Sequence, residues 1–391
     1  MRVFSKWIAL LVACGVGFQS CTEPYEAEYD SRDLGAMLIV EGYINAMGNE
    51  STYTLSYSMP MSGPLPEGRN QPVLNASVAI ESEDGERYES QTRDGGGDYR
   101  VIHPQLDPEG RYRLRIVVGQ QTYLSDFVDV KISPAIGTIE WEENESGVQL
   151  YISTEDPESK SRYYRWEYEE TWKFFSAHRS VFVLDGNELR YRTDEEQNYT
   201  CFNSNESNTI NVATSDGLSE DMIYRFPFAH IPLFSEKLQF RYSILVKQRV
   251  MSKAAFVYWD LLRENSAELG GIFGPMPTEI RGNIVNVNNP SETVIGMVEA
   301  VGIAEKRIYI DYMDLSGPWL VNNDFYSGCV LGDTTARDAV AYLQKNPNML
   351  AVSAEYRSPA SPLPTHYTYA PVRCVDCSLR GELVPPEFWE D

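Results

Sequence analysis

Between Ala36 and Val130 apolar residues recur at every second position in short bursts, and each burst is cut by turn chemistry. Tyr53, Leu55, Tyr57 and Met59 alternate strictly, as do Tyr112, Leu114, Ile116 and Val118, so each stretch offers one face to a core and one to solvent. Met37 to Val40 runs into Gly42-Tyr43-Ile44. Val78-Ala79-Ile80 leads to Asp84-Gly85, a two-residue hairpin signal that needs a positive φ. Gly95-Gly96-Gly97, Pro108-Glu109-Gly110 and Gly119-Gln120 supply further turns before Tyr123 to Val130 closes the set. About seven short strands in roughly 95 residues is the cadence of an immunoglobulin-like or transthyretin-like sandwich. That sandwich is expected over residues 36–132, without the intersheet cysteine pair of antibody domains.

Ser133-Pro134 marks the expected boundary, because proline removes a ladder donor and stiffens the entry to the next unit. Residues 135–391 read as a larger β-rich domain. Ile139 and Trp141, then Val148, Leu150 and Ile152, then Tyr164, Trp166 and Tyr168 carry strand patterns, continued over 171–175. Further strands are expected over 180–184, 210–214, 238–246, 296–301 and 306–310. The 25 tyrosines and an aromatic content of 12% suit such strands, with rings covering a half-buried face while the hydroxyls stay wet. Two short helices are expected as covers on this β core. One runs over 253–265 behind an N-cap at Ser252, with Phe256, Trp259 and Leu262 on one face and Gly270 beyond its end. The other runs over 336–345 after a cap at Thr335, with Val340 and Leu343 inward and Pro347 closing it. The polar, turn-rich stretch 185–209 reads as a long loop between strands, pinned by Cys201.

The N-terminus carries an address. Arg2 and Lys6 followed by the mostly apolar run from Trp7 to Phe18 make residues 1–20 a signal peptide, too short to span a bilayer. No later stretch reaches the roughly 18 apolar residues of a transmembrane helix. Leu11-Val12-Ala13 before Cys14 matches a strict lipobox, but cleavage there would halve the apolar run. Gln19-Ser20-Cys21 follows that run, so lipidation is expected on Cys21, with simple cleavage to a soluble periplasmic protein as the alternative. Residues 21–35, acidic and without apolar periodicity, read as a tether to the membrane.

The chain's formal charge is −24, and loss of residues 1–20 removes only Arg2 and Lys6. Such a surface repels phosphate backbones, and no dense Lys/Arg run offsets it, so nucleic acid is not an expected partner. Beyond Cys21 four cysteines remain: Cys201, Cys329, Cys374 and Cys377. In an oxidising compartment they are candidates for one or two disulfides, and three pairings are open if all four are used. Cys374-Val375-Asp376-Cys377 lies in a tail after Pro371 rather than at the opening of a helix, which argues against a redox motif. His103, His178, His230 and His366 show no ligand spacing, so no metal site is expected.

No catalytic residues and no cofactor are expected either. The chain has no Gly-x-Ser-x-Gly elbow, no phosphate loop and no His-Glu-x-x-His. Glu167, Glu169 and Glu170 beside Trp166 and Trp172 are the most suggestive carboxylates, since aromatic platforms with acids suit sugars. Strand alternation nevertheless puts Glu167 and Glu169 on one face and Trp166 and Tyr168 on the other, as in a plain amphipathic strand.

Several stretches share a pattern: Leu38 to Tyr43 (Leu-Ile-Val-Glu-Gly-Tyr), Tyr163 to Trp172 (Tyr-Tyr-Arg-Trp-Glu-Tyr-Glu-Glu-Thr-Trp) and Tyr242 to Gln248 (Tyr-Ser-Ile-Leu-Val-Lys-Gln). Gly271-Ile272-Phe273, Arg281-Gly282-Asn283-Ile284, Cys374 to Cys377 and Pro386-Glu387-Phe388-Trp389 extend it. Together they resemble a Bacteroidota family catalogued as domain of unknown function 4249, over nearly the whole mature chain. The resemblance implies an envelope lipoprotein encoded near TonB-dependent outer-membrane transporters, and carries no catalytic residue with it. A non-enzymatic outer-membrane lipoprotein is therefore expected, surface-exposed or facing the periplasm, that assists a TonB-dependent β-barrel in nutrient capture. A structural or adhesive envelope module is the alternative, and a carbohydrate-active enzyme the third reading.

Overall fold

The computed structural model describes residues 36–58, 71–91, 96–268, 280–356 and 363–390. The signal peptide, Cys21, the 21–35 tether, Met59, Gly95 and the run from Gly270 to Phe273 lie outside the described residues. The fold is mostly β. Among the described residues there are two α-helices, and neither is long and apolar enough to cross a membrane.

The N-terminal sandwich forms where the alternation places it. Leu38–Gly42 pairs antiparallel with Glu50–Tyr57, which also takes Asp98–Ile102 on its other side. Ser77–Ser82 and Gln121–Ser125 flank Arg111–Val118. Arg87–Gln91 joins the two layers, because Arg87 pairs with Glu81 while Ser90 pairs with Val101. Leu38, Tyr53, Leu55, Ile80, Leu114 and Ile116 are buried between the layers, on the faces that alternation assigns to the core. Gly42 is required where the first strand bends. Its φ is 133°, and a Cβ there would stand 2.5 Å from the Thr52 carbonyl oxygen.

This sandwich does not close with its own segment. Ile284–Asn286 adds antiparallel to Gln121–Ser125. Val294–Ile295 adds parallel to Leu38–Gly42, and Ala300–Gly302 runs parallel to both Val128–Ile132 and Ile44–Asn45. The sequence assigned residues 284–302 to the second unit, whereas the structure uses them to finish the first. Of these strands only one, over 296–301, was expected, and a partner so far back along the chain leaves no local trace. Gly282, at the start of this segment, lies against Gly296, whose carbonyl oxygen would clash with any Cβ added at 282.

The second unit packs a five-stranded sheet on a three-stranded one. Tyr163–Phe175 is central to the larger sheet, between Arg241–Val250 on one side and Thr200–Glu206 with Asn211–Thr214 on the other. Ala304–Asp311 adds beyond Arg241–Val250. The smaller sheet runs Thr138–Asn144, Gly147–Glu155, Met222–Pro232. Their shared core holds Leu150, Ile152, Tyr164, Trp166, Phe174, Ile231 and Tyr242. The expected loop 185–209 is a correction: it contains the strands Glu188–Tyr191 and Thr200–Glu206. Thr200–Glu206 turns mostly polar side chains outward, which hides the alternation a sequence reading needs.

Helix α1, Lys253–Glu268, starts as expected, with the Ser252 hydroxyl accepting from the Ala255 N–H at 3.1 Å. Helix α2, Ala339–Lys345, starts later than residue 336, because Thr335 and Asp338 close a turn on each other first. It buries Ala339 and Leu343 beside Gly332–Thr335, Met349–Glu355 and His366–Pro371, a third small sheet. Two disulfides, Cys201–Cys377 and Cys329–Cys374, tie this C-terminal part down.

Candidate functional site

One face of the central strand pair is polar, and register decides what meets on it. Arg165 stands directly opposite Arg249, and Glu167 opposite Lys247. Like charges facing each other across a ladder repel, by about 0.2–1 kcal/mol in exposed pairs, so this end of the sheet needs compensation. Glu167 supplies it. One of its carboxylate oxygens accepts from Arg165 Nη2 at 2.7 Å and also pairs with Arg249 Nη2. Burial works against the Glu167 charge, but the guanidinium groups of Arg249 and Arg165 outweigh it and hold the carboxyl below its ordinary range.

The first sandwich and helix α1 roof this end of the sheet. Trp259 of α1 lies 3.4 Å from the Arg165 guanidinium at its ring centre, and Tyr43 of the sandwich covers Arg249 at 4.5 Å. Glu299 reaches in from the segment that finishes the first sandwich, its Oε1 taking the Ser252 N–H at 3.2 Å. Between them lies a cavity of about 270 Å³, walled further by Ile39, Tyr258, Leu262, Ile295 and Met297. Burial and then the like charge of Arg249 lower the Arg165 guanidinium to about 10, so it stays charged at neutral pH. Burial raises the Glu299 carboxyl to about 7 against the pull of the Ser252 N–H and both arginines. Burial also raises the Tyr43 and Tyr258 hydroxyls. A planar, doubly cationic wall beside a carboxyl poised near neutrality can bind an anion or exchange a proton.

The carboxylates singled out in the sequence are otherwise spoken for. Glu169 pairs with Lys247. Glu170 faces the core side, 4% exposed, and accepts from Tyr242 Oη at 2.7 Å and Lys237 Nζ at 2.6 Å. Trp166 is fully buried and donates to Gln248, whose amide in turn donates to the Pro134 carbonyl at 2.9 Å and so pins the linker between the sandwiches. The three glutamates do not share a cleft. Cys201, Cys329, Cys374 and Cys377 all lie in disulfides. His103 is buried against Ser51, and His178 bonds the Cys329 carbonyl. Among the described residues no group of three His, Cys, Asp or Glu is arranged to hold a metal ion.

Sequence reasoning missed Tyr43, Arg165, Arg249, Trp259 and Glu299 as a set. The available signal was weak: two arginines at polar-face positions of strands, whose opposition depends on a register that no single strand encodes. Fold and site together define a class of molecule: two β-sandwiches laced by strands that return from the second into the first, tied by two disulfides, with a charged cleft where they meet. The model of the family described as "Domain of unknown function (DUF4249)" matches residues 22–307, and the chain belongs to that family. Every residue of the cleft falls inside the matched span. Comparison with curated proteins returns no match. Among solved structures, a two fibronectin type-III domain segment from chicken tenascin is similar at 14% identity and a TM-score of 0.16, over 55% of this chain and 90% of that one.

Proposed function

We propose that this protein is a non-enzymatic lipoprotein of a Bacteroidota outer membrane, anchored through Cys21 and working beside a TonB-dependent β-barrel in nutrient capture. The reading is carried by the basic and apolar pattern of residues 1–20, which stops just before Cys21, together with two disulfides in the body that follows. Binding rather than turnover is favoured because Glu167, Glu169 and Glu170 are each committed to cations of the framework. The cleft between the sandwiches supplies the place where a small ligand would be held.

Gentle detergent extraction of native membranes, followed by affinity capture of this chain, is expected to recover an outer-membrane barrel and a diacylated N-terminal cysteine by mass spectrometry. Recovery of the chain with an unmodified N-terminus and no barrel overturns the reading. The laced sandwiches also suit a bracing or adhesive module, which predicts normal growth on every nutrient but altered attachment in a deletion strain.

A further inference from the structure

The cleft holds more cationic hydrogen-bonding capacity than the protein itself consumes. Among the described residues, the polar contacts of the Arg165 and Arg249 guanidinium groups are the two to Glu167. Arg165 Nε is buried and has no acceptor among the described residues. A buried donor without an acceptor is disfavoured in a finished structure and calls for an explanation. Trp259 and Tyr43 cover the faces of the two guanidinium groups, so an incoming group must meet their edges, where the N–H forks point.

We propose that this cleft binds a small organic monoanion, a carboxylate with a short apolar body, gripped by the edges of Arg165 and Arg249. The charge inside the cleft supports one negative charge rather than two. At the buried end, while Glu299 is protonated, two guanidinium groups and Glu167 leave a single excess positive charge, which one carboxylate neutralises; Glu41 lines the exposed mouth, where water and salt screen it. A phosphate dianion would leave net negative charge in a partly desolvated site. The volume of about 270 Å³ sits below the usual range for larger ligands, and Ile39, Leu262 and Met297 give the body apolar walls.

Glu299 makes the capture pH-dependent. Charged and titratable groups face it from each surrounding element: Arg165 and Arg249 from the sheet, Tyr258 from α1, Lys131 with Asp126 and Asp129 from the first sandwich, and Glu41 at the exposed mouth. Protonated, Glu299 leaves the excess positive charge intact and can donate to the bound carboxylate. Ionised, it cancels that charge, so affinity falls as pH rises through about 7.

The inference deepens the binding-protein reading and rests on it for its meaning, but it is tested without any transporter. Calorimetric titration of the purified mature protein with acetate, butanoate, octanoate and benzoate, each beside its amide, is expected to show saturable binding of a carboxylate and of no amide. R249K, which keeps the charge beside Glu167 but loses the fork, is expected to weaken binding about tenfold to a hundredfold. Its thermal midpoint reports folding, and R165K serves if R249K is unstable. E299Q is expected to abolish the decline of affinity between acidic and alkaline buffer. No saturable binding across the panel, equal binding of amides, or folded lysine variants of wild-type affinity each overturn the proposal. Carboxylate binding without a co-purifying barrel would count against the transporter partnership alone.

Discussion

Glu170 illustrates how a buried acid among aromatics becomes framework. It lies on the core side of Tyr163–Phe175, and Tyr242, Lys237 and Asn205 answer its two oxygens. Lys237 also lies over the Trp172 ring, so the pair is fixed from both ends. Removing one partner of a buried pair leaves the other uncompensated, at about 3–5 kcal/mol when both are sealed. Lys237 keeps 21% side-chain exposure, which lowers that figure. Glu170→Ala is therefore expected to lose about 3 kcal/mol in urea unfolding, and Glu170→Gln, which retains the Tyr242 contact, about half as much. Equal stability of Glu170→Ala and wild type would reject the pairing as a source of stability. From the sequence, period-two alternation correctly separated Glu167 and Glu169 from Trp166 and Tyr168. It could not say which cation each acid meets, because Arg249 and Lys247 come from another strand and Lys237 from the turn before it; only Arg165 is local.

At the scale of elements, the C-terminal sheet and the Phe182–Asp185 hairpin have only a small core of their own, centred on Phe182, Leu343 and Ala351. Covalent ties substitute for core size there. The Cys201–Cys377 bond spans 176 residues and Cys329–Cys374 spans 45. Chain-entropy arithmetic gives about 5 kcal/mol for the longer loop and about 4 for the shorter. Double alanine replacement is expected to lower the urea midpoint in both cases, more for Cys201 with Cys377. The reverse order would show that native-state packing, not closure of the unfolded chain, dominates. The sequence marked all four cysteines and left the pairing open, since pairing depends on where Thr200–Glu206 docks. That strand was itself read as loop, because its outward side chains are polar and its partner lies about 30 residues earlier.

For the whole molecule, the lacing of residues 284–302 into the first sandwich has a direct consequence. A fragment of residues 36–133 lacks three strands that cover Leu38–Gly42, Gln121–Ser125 and Val128–Ile132. It would expose paired-strand edges and the side of the core that holds Ile284, Val294, Val298 and Ala300. That fragment is expected to show no cooperative thermal transition and no near-ultraviolet circular dichroism of its own, whereas the full chain melts with its two sandwiches together. A fragment 36–133 that unfolds cooperatively would show the added strands to be ornament. The same lacing carries Glu299 to the end of the central strand pair of the second unit, so the cleft forms only when both sandwiches are complete.

Local regularities were enough for the β class, the N-terminal strands of the first sandwich and both helices, since alternation, turn residues and caps act over a few neighbouring positions. The opposition of Arg165 and Arg249, the disulfide partners and the return of residues 284–302 to the first sheet were decided by folding in three dimensions. Each depends on register and docking between segments far apart in the chain, whose energies come from cross-strand contacts that exist only once the strands have met.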